Sequence, residues 1–283
     1  MMTQKDKPIA FQGEMGANSH IACNDIFPDR EVLPCTTFEG AFKAVENGSA
    51  ALAVLPVENT VAGRVADIHR LLPGYNLYII GEYFMRIRHC LLGLEGASVD
   101  GLTHVHSHEM ALGQCRHIIN ELNLEPVVAA DTAGSAREIA ELNNPTLAAI
   151  ASPLAAEING LQIFKENIED AKHNTTRFLV MAPEPDDAEP NSGDVITSFI
   201  FRCRNVPAAL YKALGGFATN GVNMTKLESY QVEGSFMATQ FYADIEGHPD
   251  DEAVRLALDE LNYFCSELNI LGVYPAAEFR RTM

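Results

Sequence analysis

The stretch Pro183-Glu184-Pro185-Asp186-Asp187-Ala188-Glu189-Pro190-Asn191-Ser192-Gly193 is rich in proline and acid and lacks apolar periodicity. Proline removes backbone donors and fixes φ, so neither a helix nor a central strand runs through such a segment. It reads as an extended linker, and the 283-residue chain is expected to fold as residues 1–183, a linker over 184–193, and residues 194–283. Each part has the length to enclose its own core, which excludes a disulfide-stapled miniprotein or a disordered tail.

After the linker the pattern is strand (195–203), helix (207–219), strand (222–231), strand (236–245), helix (250–268), strand (270–274). That βαββαβ order is the split, ferredoxin-like arrangement. Pro207 suits a first helical turn, and Asp250, Asp251 and Glu252 suit the start of the second helix through its dipole. Before the linker, short β-rich runs at 9–12, 51–57, 77–87, 103–106, 127–130 and 147–150 alternate with helical patterns at 64–72, 109–122 and 134–142. Such alternation predicts α/β layers on a largely parallel sheet, with room for two sublobes and a cleft.

Charge narrows the partners. The chain carries 38 acidic against 20 basic residues, a formal −18. Residues 1–183 hold 22 acids and 13 bases, and residues 194–283 hold 12 and 7, so neither part is a hidden basic module. Binding a polyanion rests on clustered Lys/Arg, so nucleic acid and anionic membrane are not expected partners, and a small anion must be captured locally. Six cysteines, with no C-x-x-C pair, read as reduced, mostly buried thiols in a cytoplasmic protein. The opening Met1-Met2-Thr3-Gln4-Lys5-Asp6-Lys7 has no signal-like apolar run behind it, and no stretch is long enough to span a bilayer.

Four polar clusters adjoin apolar strands, the second directly at the carboxyl end of one, where open α/β sheets bind ligands. In Gln12-Gly13-Glu14-Met15-Gly16-Ala17-Asn18-Ser19-His20 a strand turns into a helix whose free N–H groups suit a carboxylate or phosphate; the same turn, capped by Asn18 or Ser19, is also ordinary local structure. It contains neither G-x-G-x-x-G nor G-K-[ST], so dinucleotide and P-loop readings fail. Pro56-Val57-Glu58-Asn59-Thr60-Val61-Ala62-Gly63 sets three polar residues directly after a strand, for binding or for capping. His104, His106 and His108 alternate, but no Cys, Asp or H-E-x-x-H pair completes a zinc set, so no metal is expected; Ser107 would cap the next helix and Gln114 would face a cleft. His173-Asn174-Thr175-Thr176-Arg177-Phe178 brings hydroxyls and a guanidinium suited to a carboxylate beside an apolar wall. Nothing resembles an elbow nucleophile or a metal cage. Neutral hydroxyls and amides with one cation orient a reactive anion rather than attack it.

In this order the clusters resemble one family. Gly13-x-x-Gly16-x-x-Ser19-His20, Pro56-Val57-Glu58-Asn59-Thr60-x-x-Gly63, Ser107-His108 with Gln114, and Asn174-x-Thr176-Arg177-Phe178, ahead of a βαββαβ domain, are similar to the bacterial monofunctional prephenate dehydratases with a C-terminal ACT domain. The resemblance spans nearly the whole chain. It implies an α/β catalytic region of two sublobes, like periplasmic binding proteins, with the active site in the cleft, and a ferredoxin-like regulatory domain.

The implied reaction turns prephenate into phenylpyruvate, carbon dioxide and water on the route to phenylalanine, with no cofactor. Carried over from the family, Thr176 meets the departing hydroxyl, Asn59 and Gln114 orient the substrate, and Arg177, Ser19 and helix N-termini hold the carboxylates. Glu58, Thr60, Gly63, Ser107, His108, Asn174 and Phe178 complete the substrate site. In the C-terminal domain the resemblance implies inhibition by L-phenylalanine through Ala208, Ala209, Leu210, Asn223, Glu228 and Ser229, and a homodimer or homotetramer. Here the chain departs from its family, which has Gly where this chain has Ala208 and Arg-Pro where it has Tyr230-Gln231. Arogenate dehydratase activity, or a non-catalytic amino-acid sensor, are the competing readings.

Overall fold

The computed structural model describes residues 7–204, 206–231 and 238–282. The opening residues 1–6 and Phe236, at the start of an expected strand, lie outside the described residues. In chain order the elements are β1 (Ile9–Gln12), α1 (Asn18–Ile26), β2 (Val32–Cys35), α2 (Phe38–Glu46), β3 (Leu52–Asn59), β4 (Gly63–Arg64), α3 (Ala66–Leu71) and β5 (Tyr78–Arg86). Next come β6 (Cys90–Gly93), β7 (His104–His108), α4 (Glu109–Gln114), α5 (Arg116–Glu121), β8 (Glu125–Ala129), α6 (Thr132–Leu142), β9 (Leu147–Ala151), α7 (Pro153–Asn159), β10 (Gln162–Lys165) and β11 (Thr175–Ala182). The C-terminal elements are β12 (Val195–Cys203), α8 (Ala209–Thr219), β13 (Met224–Gln231), β14 (Ala238–Glu246), α9 (Glu252–Phe264) and β15 (Cys265–Pro275).

Packing divides the chain into two compact units. The first consists of residues up to 65 together with 84–178, and the second of 66–83 with residues from 179 onward. Two sheets build the first unit. In one, β1 lies between β2 and β3 and is parallel to both. The other runs β10-β6-β9-β7-β8, parallel at β9-β7-β8 and antiparallel at β10-β6-β9. The apolar strands Leu52–Leu55 and Ala148–Ala151 are almost wholly buried, as sheets covered on both faces require.

The two layers of this unit are tied at the β1–α1 turn. Gly16 adopts φ +91°, and a Cβ there would come within 2.7 Å of the Ala155 Cα on α7, so only glycine lets the turn lie against that helix. Ser152 Oγ donates to Gly16 O, and Arg137 of α6 makes a two-pronged ion pair with Glu14 at 2.9 and 3.1 Å. The Arg137 guanidinium bonded to Glu14 holds that carboxyl below its ordinary value.

The second unit contains an antiparallel sheet in the order β13-β14-β12-β15, with α8 and α9 on one face: the ferredoxin-like arrangement predicted from sequence. Phe199 and Phe201 on β12 and Phe241, Ala243 and Ile245 on β14 fill that face with Ala213, Phe217, Ala257 and Leu261 of the helices. Residues 66–83 join this unit despite preceding the linker. A Cβ on Gly272 of β15 would lie 1.9 Å from Ile79 O, His69 packs at 5.2 Å on Tyr242, and Arg280 pairs with Glu82 at 2.8 Å. The linker is not free either, since Val273 N–H donates to Asp187 and Ala188 N–H to Val273 O.

Several local expectations are corrected. The helix predicted over 109–122 breaks at Cys115, because the Asp170 carboxylate accepts from Arg116 N and His117 N and so starts α5 anew. The second C-terminal helix ends at Phe264 rather than 268: from Cys265 the chain is strand, with Glu267 and Leu268 opposite Arg202 and Phe201. Pro207 stands before α8, whose N-cap is Ala208 at φ +61°. Helix α1 is capped by neither Asn18 nor Ser19; its N-cap is Ala17, which offers no side-chain bond. Ser107 does not cap α4, because its hydroxyl is bonded to Ile150 O and His108 Nδ1 accepts the Met110 N–H instead.

Candidate active site

Within the first unit the carboxyl ends of β1, β3, β7 and β8 face a cavity of about 410 Å³. Gln12, Gly13, Asn18 and Ser19 come from the β1–α1 turn, Pro56 and Asn59 from β3, and Thr176 and Phe178 from β11. The second sheet contributes His108, Met110 and Gln114 from β7–α4 and Asp131 and Thr132 from β8–α6, while Ile87 and His89 follow β5. Of the residues expected from sequence, Ser19, Asn59, His108, Gln114, Thr176 and Phe178 line it.

The hydrogen bonds fix which way each amide points. Asn59 Oδ1 accepts from the backbone N–H groups of Val61 and Ala62, at 2.9 and 2.8 Å. Backbone nitrogens can only donate, so the other end of Asn59 is its NH2. That NH2 donates to Asn174 Oδ1 (2.7 Å) and to Thr176 Oγ1 (2.8 Å). Asn174 therefore turns its own NH2 to Gln114 Oε1 at 2.9 Å. Gln114 Oε1 also meets His89 Nε2 at 2.9 Å, and since the oxygen can only accept, His89 carries its proton on Nε2. Two groups are left over. The Thr176 oxygen has accepted, so its O–H is free to donate; Gln114 has spent its oxygen on two donors, so its NH2 is free.

The helix ends differ in the same sense. Asp131 caps α6 by accepting from Gly134 N at 2.7 Å, and His108 caps α4. Helix α1 has no side-chain cap, and its N-cap Ala17 with Asn18 and Ser19 of its first turn line the cavity. Uncapped N–H groups and the positive end of the dipole suit an anion. His20, one residue on, accepts the Gly16 N–H on Nδ1, and burial holds its pKa below the ordinary value, so it is neutral at pH 7.

Other expected residues lie behind the wall. Arg177 is 2% exposed and pairs with Glu58 at 3.0 Å, its guanidinium 5.9 Å from the centre of the Phe84 ring, so it is not at the cavity surface where a carboxylate clamp is needed. Thr60 Oγ1 donates to His173 O and accepts from Thr175 N, which stitches the β3 turn to β11. Gly63 at φ +82° and the buried Ser107 shape backbone. Among the described lining residues there is neither Lys nor Arg. Sequence reasoning missed His89, Asp131 and Thr132, and gave Gln12 of the first cluster no role. For His89 the available signal was the polar Arg86-Ile87-Arg88-His89 interrupting two apolar runs. Among the described residues no group of His, Cys, Asp and Glu is arranged to hold a metal ion.

In the second unit, Ala208 is exposed at the N-cap of α8, with Ala209 and Leu210 in its first turn. Asn223 donates to Glu246 at 3.0 Å. Glu228 pairs with Lys226 on one face of the edge strand β13, and Ser229 points to the other. The cavity of the first unit includes none of these residues.

A cavity of neutral donors with an uncapped helix end is the geometry expected for a small reactive anion, and comparison with known proteins agrees. The sequence model of the prephenate dehydratase family matches residues 9–186. A protein of Komagataeibacter europaeus named bifunctional N-acyl-homoserine lactone acylase/prephenate dehydratase is 51% identical, over 98% of each chain. Arogenate dehydratase/prephenate dehydratase 2 of Arabidopsis thaliana is 38% identical over 94% of this chain and 72% of its own. The crystal structure of prephenate dehydratase from Arthrobacter aurescens in complex with L-Phe superimposes with a TM-score of 0.88 at 30% identity, covering 96% of this chain and 90% of that one. The fold, the ordered motifs and these matches together place the chain in the prephenate dehydratase family.

Proposed function

We propose that this chain converts prephenate to phenylpyruvate, carbon dioxide and water in the cavity of its first unit. The observation that carries the reading is the donor left over on Thr176. As the ring carboxylate leaves as CO2, its bonding pair enters the ring, the ring becomes aromatic and the C–O bond to the hydroxyl breaks. The departing oxygen needs one proton to leave as water, and Thr176, held by Asn59 through its lone pair, offers an O–H at that point. A threonine hydroxyl is a weak acid, so it donates a hydrogen bond or relays a proton rather than acting as a charged acid. Gln114 directs its NH2 to the substrate, and the first-turn amides of α1 with Ser19 receive the side-chain carboxylate. Pro56, Ile87 and Phe178 strip water from the carboxylate that is lost. Arg177 keeps a supporting role, holding β11 through Glu58.

The C-terminal unit is read as an ACT domain that binds L-phenylalanine between copies of the chain, in a homodimer or homotetramer; the Arthrobacter relative's complex with L-Phe supports the choice of ligand. Its effector residues are Ala208, Ala209, Leu210, Asn223, Glu228 and Ser229. Six free thiols suit the reducing cytoplasm. Purified protein supplied with prephenate is expected to form phenylpyruvate, with one proton taken up per turnover and L-phenylalanine inhibiting. No product at any pH from about 6 to 9, near the ordinary range of enzyme titrations, would remove the reading. Competition with arogenate separates the two dehydratase substrates. The name and 51% identity of the Komagataeibacter relative favour a second activity, hydrolysis of N-acyl-homoserine lactone to fatty acid and homoserine lactone, tested on the same preparation.

A further inference from the structure

We infer that His89 is a positioning residue for the dehydration, holding the Gln114 amide with its NH2 toward the substrate. The kinetic part of the inference rests on the dehydratase reading of the cavity; the hydrogen-bond part does not.

Gln114 is a primary amide with two ways to lie, and the unwanted one turns an oxygen toward an incoming carboxylate. Two donors converge on its Oε1 and decide the matter: Asn174 Nδ2 and His89 Nε2, each at 2.9 Å. Either one alone leaves the second lone pair to water, so the imidazole supplies half of the constraint. His89 is itself held. It is 3% exposed, its backbone N–H donates to Glu169 Oε2 at 3.1 Å, and Glu169 is anchored to Arg86 at 3.3 Å. Burial lowers the pKa of the imidazole, with Gln114 and Glu169 opposing, so the ring is neutral at pH 7 and has one proton to place.

The other nitrogen shows that this ring was not chosen for packing. His89 Nδ1 is buried and has no hydrogen-bond partner among the described residues. A lone pair buried without a partner is a stability cost, and a leucine or phenylalanine of similar size avoids it. Histidine persists there with its one proton directed at Gln114. A glutamine places a side-chain N–H where Nε2 lies and so reproduces the donor without the ring.

Replacing His89 by Phe is expected to lower kcat on prephenate roughly 10- to 100-fold, the usual scale for lost support behind a reacting group, with KM changed by less than about threefold. His89→Gln is expected to recover kcat to within about fivefold of wild type. In a Gln114→Ala background His89→Phe should cost less than about twofold further, because nothing remains to be oriented. Equal losses for Phe and Gln, or fully additive losses with Gln114→Ala, would overturn the inference. Should the Phe variant fail to fold, the wild-type protein decides. In 15N-histidine NMR at pH 7, His89 is expected to bear its proton on Nε2, and a bare Nε2 overturns the proposal even if prephenate turnover itself is absent.

Discussion

In the first unit, Asn59 fixes Asn174 and Thr176, Asn174 fixes Gln114, and the series ends with an O–H and an NH2 unspent at a cavity wall. In the second, Ser198 donates to the buried Asp244 at 2.5 Å and accepts from Tyr242 at 3.2 Å, with Tyr274 OH at 2.7 Å. A serine hydroxyl has one proton and two lone pairs, so Ser198 is saturated, whereas Thr176 has accepted once and still has its proton to give. Asn174 and Thr176 of the first set are buried while Asn59 and Gln114 are half-buried, and Ser198, Asp244, Tyr242 and Tyr274 of the second are all buried. The difference lies in whether the bonding ends inside the set. A closed set holds a fold together, and an open one is prepared for a substrate.

The largest expected effect tests the open end. Thr176→Val keeps the shape and β propensity but removes the O–H, and is expected to lower kcat on prephenate by about 10²- to 10³-fold, within the usual range for a positioned proton donor. Thr176→Ser should retain most of the rate. A valine variant with near-normal kcat would show that the leftover donor is idle.

How much of this contrast was legible follows from how each set is written in the chain. The site clusters come as contiguous polar runs at the ends of apolar strands, Glu58-Asn59-Thr60 closing β3 and Asn174-Thr175-Thr176-Arg177 opening β11, and such runs stand out. Which members face the cavity did not. Along β11, Thr176 and Phe178 reach the wall while Arg177 turns back to Glu58, and the lone guanidinium drew the eye because charge is easier to read than facing. His89 closes the short Arg86-Ile87-Arg88-His89 interruption, apart from the four polar clusters, and the role inferred for it appears only once Gln114 is in place. The βαββαβ order was legible from periodicity, but the face carrying Ser198, Tyr242 and Asp244 resembles a solvent face, since alternating polar residues are what an exposed antiparallel sheet shows. It is buried because residues 66–83 pack in that unit, a pairing across more than a hundred residues that no local pattern encodes.

A smaller effect is expected from opening the closed set. Asp244→Ala removes an acceptor and leaves the Ser198 proton buried without its partner, at a cost of about 2–3 kcal/mol in unfolding free energy. Urea denaturation measures it. kcat at saturating prephenate should change less than about twofold, the counterpart of Thr176→Val, which should cost rate and little stability. If Asp244→Ala abolished turnover in folded protein, the two sets would not be separable as fold and function.

Smaller again is the change at Ala208, the N-cap of α8, which holds a left-handed conformation at φ +61°. For alanine that conformation costs about 1–2 kcal/mol, and glycine relieves it while losing about 0.4–1 kcal/mol to the entropy of the unfolded chain. Ala208→Gly is thus expected to stabilise the protein by roughly 0.5–1 kcal/mol, read as a higher urea midpoint with an unchanged m-value. Glycine then stands at a position proposed to contact the effector, and L-phenylalanine titration of the same variant shows whether the methyl also narrows the approach of the ligand.

The smallest expected effect is an absence of change, and it bears on how an open set of neutral donors works at all. A dianionic substrate approaches a chain of formal charge −18, and the residues lining the cavity include the Asp131 carboxylate but neither Lys nor Arg. An enzyme that draws its substrate in with a positive field loses kcat/KM steeply as salt shortens the screening length from about 10 Å at 0.1 M to about 3 Å at 1 M. The capture proposed for the α1 amides, Ser19 and Gln114 would act only at hydrogen-bond range, well inside any of these screening lengths. Raising sodium chloride from about 0.05 to 0.5 M is therefore expected to leave kcat/KM flat or raise it slightly, as the repulsion of the surrounding acids is screened. A steep fall would mean that cations beyond the wall, Arg86, Arg88 or Arg177, steer the substrate after all, and that the cavity's neutral donors only finish what a local positive field begins.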